Sequence, residues 1–467
     1  MIEDLKPYPE YKDSGLPWLG KVPAHWQVRR IKTVLREIDR RSEVGREPLL
    51  SLRLHGGLVD HHALGGKTIP PSALIGYKHI KPGEIVMNRM RAALGLFAAA
   101  KSEGLVSPDY AIFHPVADVN LDYAVQLFRT PAMASVFRLE SRGLGTGESG
   151  FLRLYSDRFG TIPIPLPPPD EQAAIVRFLG WATGQVDRAI LAKRKVIALL
   201  NEQKQVIAYK ALTQALSSAA GVKPSGIPWI SSVPKHWEVL ALKRVLSKLI
   251  DCEHKTAPRV ENSEFRVVRT TAVRAGELRW GGTYCTSEAA YGAWTRRGLP
   301  EVGDVIFTRE APAGEACLVP SGFNLCLGQR TVLMKPAKEK LDSHFLLHSI
   351  YNGPPRIFIA LFSQGSTVAH FNMSDIGSLP IFLPPKAEQE EIVRSISIES
   401  AKPSANIATL SREVQLLREL RDRLCLEAIT GSVDVRSISV SLPRPCSDAD
   451  ATQPDDEADF GEDEVAA

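Results

Sequence analysis

The residue types in this sequence best suited to chemistry are arginines at the ends of short apolar runs. Arg89 and Arg91 follow Glu84–Met87, and Arg309 follows Asp304–Thr308. An arginine after a strand can fork to guanine O6 and N7 or clamp a phosphate, and it can equally be a surface or ion-paired residue. Gln329 and Arg330 are counted with them as candidate nucleic-acid contacts, because they lie in a paired inner element described below. Two Gly-rich loops, Gly145-Thr146-Gly147-Glu148-Ser149 and Gly365-Ser366-Thr367, add Thr146 and Thr367 to the candidates. Such loops can bring main-chain N–H groups close to a phosphate backbone, or can simply be tight turns that need positive φ.

Other groupings fall short of a site. Asp251-Cys252-Glu253-His254-Lys255-Thr256 mixes ligand types, yet no CxxC or second pair at zinc spacing accompanies it, so a structural or nucleic-acid-facing loop is the better reading. His55, His61 and His62 lack a carboxylate frame and read as a solvated loop. Leu64-Gly65-Gly66-Lys67-Thr68 resembles the end of a phosphate loop, but position 61 is His where the first Gly belongs. No HExxH, GxSxG or Asn/Asp-Pro-Pro-aromatic motif occurs. The chain is therefore expected to be non-catalytic, with no metal and no cofactor of its own.

The elements that must position these residues come in two copies. The openers Ser14-Gly15-Leu16-Pro17-Trp18 with Val22-Pro23-Ala24-His25-Trp26 recur as Ser225-Gly226-Ile227-Pro228-Trp229 with Val233-Pro234-Lys235-His236-Trp237, at an offset of 211. Lys81–Val86 is answered by Glu301–Ile306, and Arg89 by Arg309, at offset 220. Val106–Ile112 is answered by Cys326–Val332, and Ile162–Pro167 by Leu379–Pro384. The tryptophans at these positions read as apolar staples rather than base stackers. Two copies are too long and too few for a solenoid. They predict two similar globular units related by a pseudo-twofold, a homodimer-like arrangement in one polypeptide. Each unit reads as α+β with a twisted antiparallel sheet. Strands are expected at Glu84–Met87, Tyr110–His114, Asp304–Thr308 and Thr331–Met334, with helices near Leu121–Ser141 and Ser343–Ile350.

Each copy closes on a proline turn and a helical region: PPPDEQAAIV from Pro167 and PPKAEQEEIV from Pro384. Apolar residues at Ile190, Ile197, Leu200, Ile207 and Ala211 form a narrow stripe suited to one long helical partner. The partner is predicted in Ile407, Leu410, Val414, Leu417, Leu424 and Ala428, with one polar interruption at Arg421. Thr183-Gly184 and Pro403 should break each region into a short helix and a long one, the long ones spanning about 185–216 and 404–430, or ~40–50 Å. The resulting division is a globular unit over 1–166, a helical spacer over 167–216, a second unit over 217–383, a distal spacer over 384–434 and a tail over 435–467.

At 467 residues, with 44% apolar content, each unit can bury a core. No run of about 18 apolar residues suggests a membrane span, and no secretory pattern opens the chain, so a cytoplasmic location is expected. Six irregularly spaced cysteines read as reduced thiols. The net charge of +4 conceals a body of +12 and, from Ser437 onward, a tail of −8 that should be disordered. A basic body favours a polyanionic partner.

The openers, the closers and the inner elements SPDYAIF and GQRTVL, duplicated in order over about residues 14–434, resemble the DNA-specificity subunit of type I restriction–modification enzymes. The resemblance implies two target-recognition domains separated by two long antiparallel helices packed as a coiled coil. Each domain would read one half of a split, asymmetric site in double-stranded DNA. The helices would act as a ruler for the gap and as the dock for two methyltransferase (M) subunits, with restriction (R) subunits beyond. S-adenosylmethionine, ATP and Mg2+ would belong to those partners, which would carry out adenine methylation and cleavage. A stand-alone DNA-binding regulator, or the specificity moiety of another restriction–methylation enzyme, are the alternative readings.

Overall fold

The computed structural model describes residues 5–54, 56–65, 68–144, 151–215, 221–363 and 370–443. The chain divides into two compact units. The first comprises Met1–Lys193 with Glu413–Ala467, and the second is Arg194–Arg412.

Each unit is built on the same sheet. In the first, strands Leu35–Ile38, Ala111–Pro115, Ile85–Met87 and Phe97–Ala99 lie side by side in that order, all antiparallel. In the second, Leu246–Asp251, Thr331–Pro336, Val305–Thr308 and Ala316–Leu318 repeat the order and the antiparallel sense. Ile112 sits opposite Ile38 and Val86, and Leu333 sits opposite Ile250 and Ile306. With Val86 matched to Ile306, the inner elements correspond at an offset one residue larger than the sequence alignment of Val106–Ile112 with Cys326–Val332. Both segments are apolar and β-branched around the slip, so composition alone did not fix the register.

Beyond the first strand, which leaves Arg36 and Glu37 or Ser247 and Lys248 exposed, the strands are largely buried on both faces, and their period of two divides them between two cores. In the first unit Ile85, Met87, Phe97, Ala111 and Phe113 face a core with Phe128, Phe137 and Phe159. Val86, Ala98 and Ile112 face a second one with Leu50, Leu52, Ile80 and Val106. In the second unit Val305, Phe307, Ala316, Val332 and Met334 face the larger core, while Ile306, Cys317 and Leu333 pack with Val268, Val273, Leu325 and Leu327. Part of the smaller core comes from the segment between the first and third sheet positions, residues 39–84 in one unit (Leu50, Leu52, Ile80) and 252–304 in the other (Cys252, Val268, Ala272, Val273). These segments fold differently. The first holds the hairpin Leu50–Arg53/Gly57–Asp60 and a strand Lys78–Ile80 paired with Gly104–Val106. The second holds strand Phe265–Val268, which pairs antiparallel with Thr283–Cys285 and parallel with Asn324–Leu327.

The repeated motifs have repeated geometry. Gly83 and Gly303 both turn at positive φ, 81° and 88°. The next residue closes the turn: Glu84 accepts from the Lys81 N–H and Asp304 from the Glu301 N–H, each at 2.8 Å. The helix expected at Leu121–Ser141 is two helices, Leu121–Phe128 and Pro131–Glu140, because Pro131 starts a new helix behind the Thr130 cap. Ser343–Asn352 forms as expected.

The two long helices depart from expectation in length. Each is 45 residues, Pro169–Thr213 and Lys386–Thr430, and neither breaks at Thr183-Gly184 or at Pro403. Phe178, Leu179, Ala182 and Val186 are all buried around the glycine, and their packing outweighs a helix-interior penalty of about 1 kcal/mol. Pro403 is itself buried; Ile392 and Ile396 anchor the turns before it and Val414 the turns after. Within the first unit the helices pair antiparallel. Asp187 meets Arg421 at 3.0 Å and Lys193 meets Glu413 at 2.6 Å, around a small core of Val186, Ile190, Val414 and Leu417. Arg421, the polar interruption in the apolar rhythm, thus occupies the seam with a carboxylate opposite. Within the second unit, Ala208 and Leu212 from one helix and Ile392 and Ile396 from the other join the main core.

Among the described residues no helix is long and apolar enough to cross a membrane. Cys252, Cys285, Cys317, Cys326 and Cys425 are free thiols.

Candidate nucleic-acid interface

The motifs that open and close each copy meet in one buried clamp. His25 Nε2 and the Trp26 indole N–H both reach Glu171, at 2.8 and 2.9 Å. His236 and Trp237 make the same pair of bonds to Glu388, at 2.8 and 3.1 Å. Gln172 and Gln389, one residue on, each donate to the carbonyl at the preceding proline turn (Pro167 and Pro384) and accept from the backbone N–H of Asn120 and Asp342. Those two residues cap the following helices. The Glu-Gln pair therefore ties the long helix to the head in front of it. Trp26 and Trp237 are fully buried, as staples should be; Trp229 is 36% exposed. In the first unit Tyr8 also donates to Glu171, and burial together with that carboxylate holds its phenol far above the ordinary range.

The candidate arginines separate sharply. Arg89 is pinned by Glu37 at 2.6 Å and by the Ser156 hydroxyl. Arg309 is 8% exposed and turned inward. One guanidinium nitrogen bonds both oxygens of Asp251, at 2.9 and 3.0 Å, and Nε donates to the Phe371 carbonyl. That geometry makes Arg309 a brace between strand ends, with little left to offer a ligand. Arg91 is half-buried at the turn where its N–H bonds Asn88. Gln329 and Arg330 are exposed. Gln329 donates to the His254 carbonyl at 3.2 Å, and Arg330 meets Glu310 at 2.6 Å. His370 shares Glu310, and with Arg330 it holds that carboxyl below the usual range against a smaller opposing effect of burial. Arg330 also holds φ at +67°, unusual for a side-chain-bearing residue. Thr146 and Thr367, with their Gly-rich loops, lie outside the described residues, as do His55, Gly66, Lys67 and the tail from 444. The disorder expected from Ser437 does not begin there: Arg436–Ser441 form a short helix, and Leu442 is buried in the larger core of the first unit.

Asp251, Cys252 and His254 bring three ligand atoms together. The Arg309 guanidinium already neutralises Asp251, and burial pushes the Cys252 thiol up, so the set suits a structural brace better than a cation.

Sequence reasoning passed over a group in the second unit. Arg259, Arg266, Arg269 and Trp280 surround Tyr284 and Phe323 on and beside strand Phe265–Val268. The signal was present in VRTTAVRAGELRWGGTYC, where arginine and aromatic residues interleave.

Residues 287–405 match the family profile described as the type I restriction modification DNA specificity domain. The chain is similar to the specificity subunits of type I restriction–modification enzymes. It is 22% identical over 436 residues, 90% of this chain and 96% of the relative, to a protein of Methanocaldococcus jannaschii described as the type I restriction enzyme MjaX specificity subunit. The MjaVIII specificity subunit of the same organism is 22% identical over 294 residues, 60% of this chain and 64% of that one. A solved structure reported for complex assembly and conformational transition of the type I R-M system matches with a TM-score of 0.63 at 15% identity, covering 87% of this chain and 98% of its own. That likeness shows a shared fold.

Proposed function

We propose that this specificity subunit reads a bipartite, asymmetric site in double-stranded DNA, one half with each unit. It directs adenine methylation and restriction by partner subunits and catalyses neither. The observation that carries the reading is the repetition of one sheet with two unlike segments, 39–84 and 252–304, inserted at the same topological point. A shared frame with different insertions suits two readers of different sequences, because each base pair in the major groove presents its own donor and acceptor pattern.

The long helices set the number of base pairs between the half-sites and receive two methyltransferase subunits, with restriction subunits bound beyond. Leu191, Leu199 and Val206 on the first helix and Ile398 on the second are each more than half exposed, which supports docking there. S-adenosylmethionine, ATP and Mg2+ are held by those partners.

The test is co-expression with a methyltransferase subunit of a type I restriction–modification system from the same genome, followed by mapping of modified adenines. Two short, different motifs at a fixed gap are expected. A continuous or palindromic motif, or no modification, overturns the reading.

A further inference from the structure

The arginines chosen from sequence are, with the exception of Arg91, spoken for by carboxylates. Arg89 has Glu37, Arg309 has Asp251 and Arg330 has Glu310. A different set in the second unit is ordered without being neutralised. The Arg259 and Arg269 guanidinium carbons lie 5.2 and 5.8 Å from the centre of the Tyr284 ring. The Arg266 guanidinium lies 5.9 Å from the Trp280 ring. Trp280 stands 4.2 Å from Phe323, centre to centre, and both rings are partly open to solvent, at 39% and 48%.

Hydrogen bonds fix the same side chains. Arg269 Nε donates to the Gly282 carbonyl and Arg266 to the Thr283 hydroxyl, both at 3.1 Å. The Tyr284 hydroxyl donates to the Ala257 carbonyl at 3.0 Å. Among the described residues, none of Arg259, Arg266, Arg269 and Arg279 forms an ion pair with a carboxylate. Stacking on an aromatic face stiffens a guanidinium and leaves its N–H edge free to donate. Arg259 and Arg269 are exposed and Arg266 is half-exposed, on and beside strand Phe265–Val268, so their guanidinium groups are open to an anion. In the first unit the arginines that lie over aromatic rings, Arg153 over Tyr155 and Arg436 over Tyr8, are instead ion-paired, with Asp109 and Asp434.

We propose that the arginine–aromatic shelf of Arg259, Arg266, Arg269, Trp280 and Tyr284 grips the phosphate backbone of duplex DNA and supplies salt-sensitive affinity. The proposal rests on the DNA-reading function above and assigns the grip to residues outside the strand-end candidates. Phosphate contacts carry affinity and register without carrying sequence information. The shelf therefore anchors the chain on DNA, and its removal leaves the recognised motif unchanged.

The experiment measures binding of the full-length chain to a duplex carrying its mapped motif, across a salt series, for wild type, for R259Q/R266Q/R269Q and for R330Q. The triple variant is expected to bind about tenfold or more weakly, with a salt slope shallower by about 0.9 for each phosphate it no longer neutralises. R330Q, which removes a cation already paired with Glu310, is expected to leave both nearly unchanged. The motif of the triple variant, mapped by methylation in cells, stays the same. R259K/R266K/R269K is expected to recover most of the slope, since charge survives while stacking does not. Unchanged affinity and slope in a folded triple variant overturns the shelf while leaving site reading intact. A changed half-motif overturns it in favour of base reading by these arginines. A wild-type chain that binds no duplex overturns both proposals.

Discussion

Trp26 donates its indole N–H to Glu171 at 2.9 Å, across 145 positions of chain, and Trp237 repeats the bond to Glu388. The carboxylate of Glu171 is only 4% exposed and also serves His25 and Tyr8. Removing it strands buried donors, each costing about 1–3 kcal/mol. E171A is expected to lower stability by about 3 kcal/mol in chemical denaturation. Glu388 is 17% exposed, so water replaces part of what E388A removes, and that variant should cost about 1–2 kcal/mol.

Arg309 and Arg330 are expected to part company. Deleting the inward guanidinium leaves Asp251 with a half-buried charge, and R309A should cost about 2–3 kcal/mol. The Arg330 ion pair is exposed, and R330A should change stability by less than about 0.5 kcal/mol. Because Arg330 holds φ at +67°, R330G is expected to raise the melting temperature slightly, by relief of up to about 1 kcal/mol of backbone strain. Thermal denaturation of the three variants checks the order.

The first long helix carries two glycines whose substitution has room. A methyl group at Gly180 meets nothing within 4 Å, and at Gly184 it meets only the Arg188 guanidinium at 3.8 Å. G180A and G184A are each expected to stabilise the chain by about 0.5–1 kcal/mol, with unchanged helical circular dichroism per molecule.

The seam pair Asp187–Arg421 joins side chains 40% and 32% exposed. A charge exchange, D187R with R421D, is expected to recover most of the stability that either change costs alone. The coupling energy from the double-mutant cycle should be about 0.5 kcal/mol. No recovery would mean that the two helices do not pair in this register.

Burial pushes the Cys317 and Cys326 thiols up to about 12. Both should resist alkylation by iodoacetamide at pH 8 in the native protein, while partly exposed Cys285 reacts. A thiol whose acidity is weakened by folding binds its proton more tightly in the folded state. Stability is therefore full below the ordinary thiol value of 9.0 and falls as pH rises beyond it. A urea midpoint that holds constant from about pH 8.5 to 10.5 would contradict the burial of these two groups.

Much of this was legible in the residues themselves. The openers and closers identified the duplication because a Trp, a His and a Glu-Gln pair must recur wherever the same clamp recurs. The strands were readable from β-branched runs bounded by the Gly83 and Gly303 turns. The expected helix breaks do not form because local propensity at Thr183-Gly184 and Pro403 is overridden by burial on either side, which no window of sequence displays. The roles of Arg89 and Arg309 were hidden for a related reason: their partners Glu37 and Asp251 lie on a distant strand brought alongside only by the sheet. The arginine–aromatic shelf is only partly visible in a short window: Arg269, Trp280 and Tyr284 fall within 268–285, whereas Arg259, Arg266 and Phe323 lie outside it and are collected by the pairing of three strands.

The second compact unit is continuous in sequence, whereas the first is completed only by residues from Glu413 onward. A ribosome making this chain therefore releases a finished second unit while the first still lacks Leu424, Ala428 and Ile429 from its core. Until those residues emerge, the nascent chain presents an open apolar cleft. The equivalent stretch of a neighbouring polypeptide could fill it, so exchange of that final helical segment between two molecules is the misassembly this architecture has to outrun.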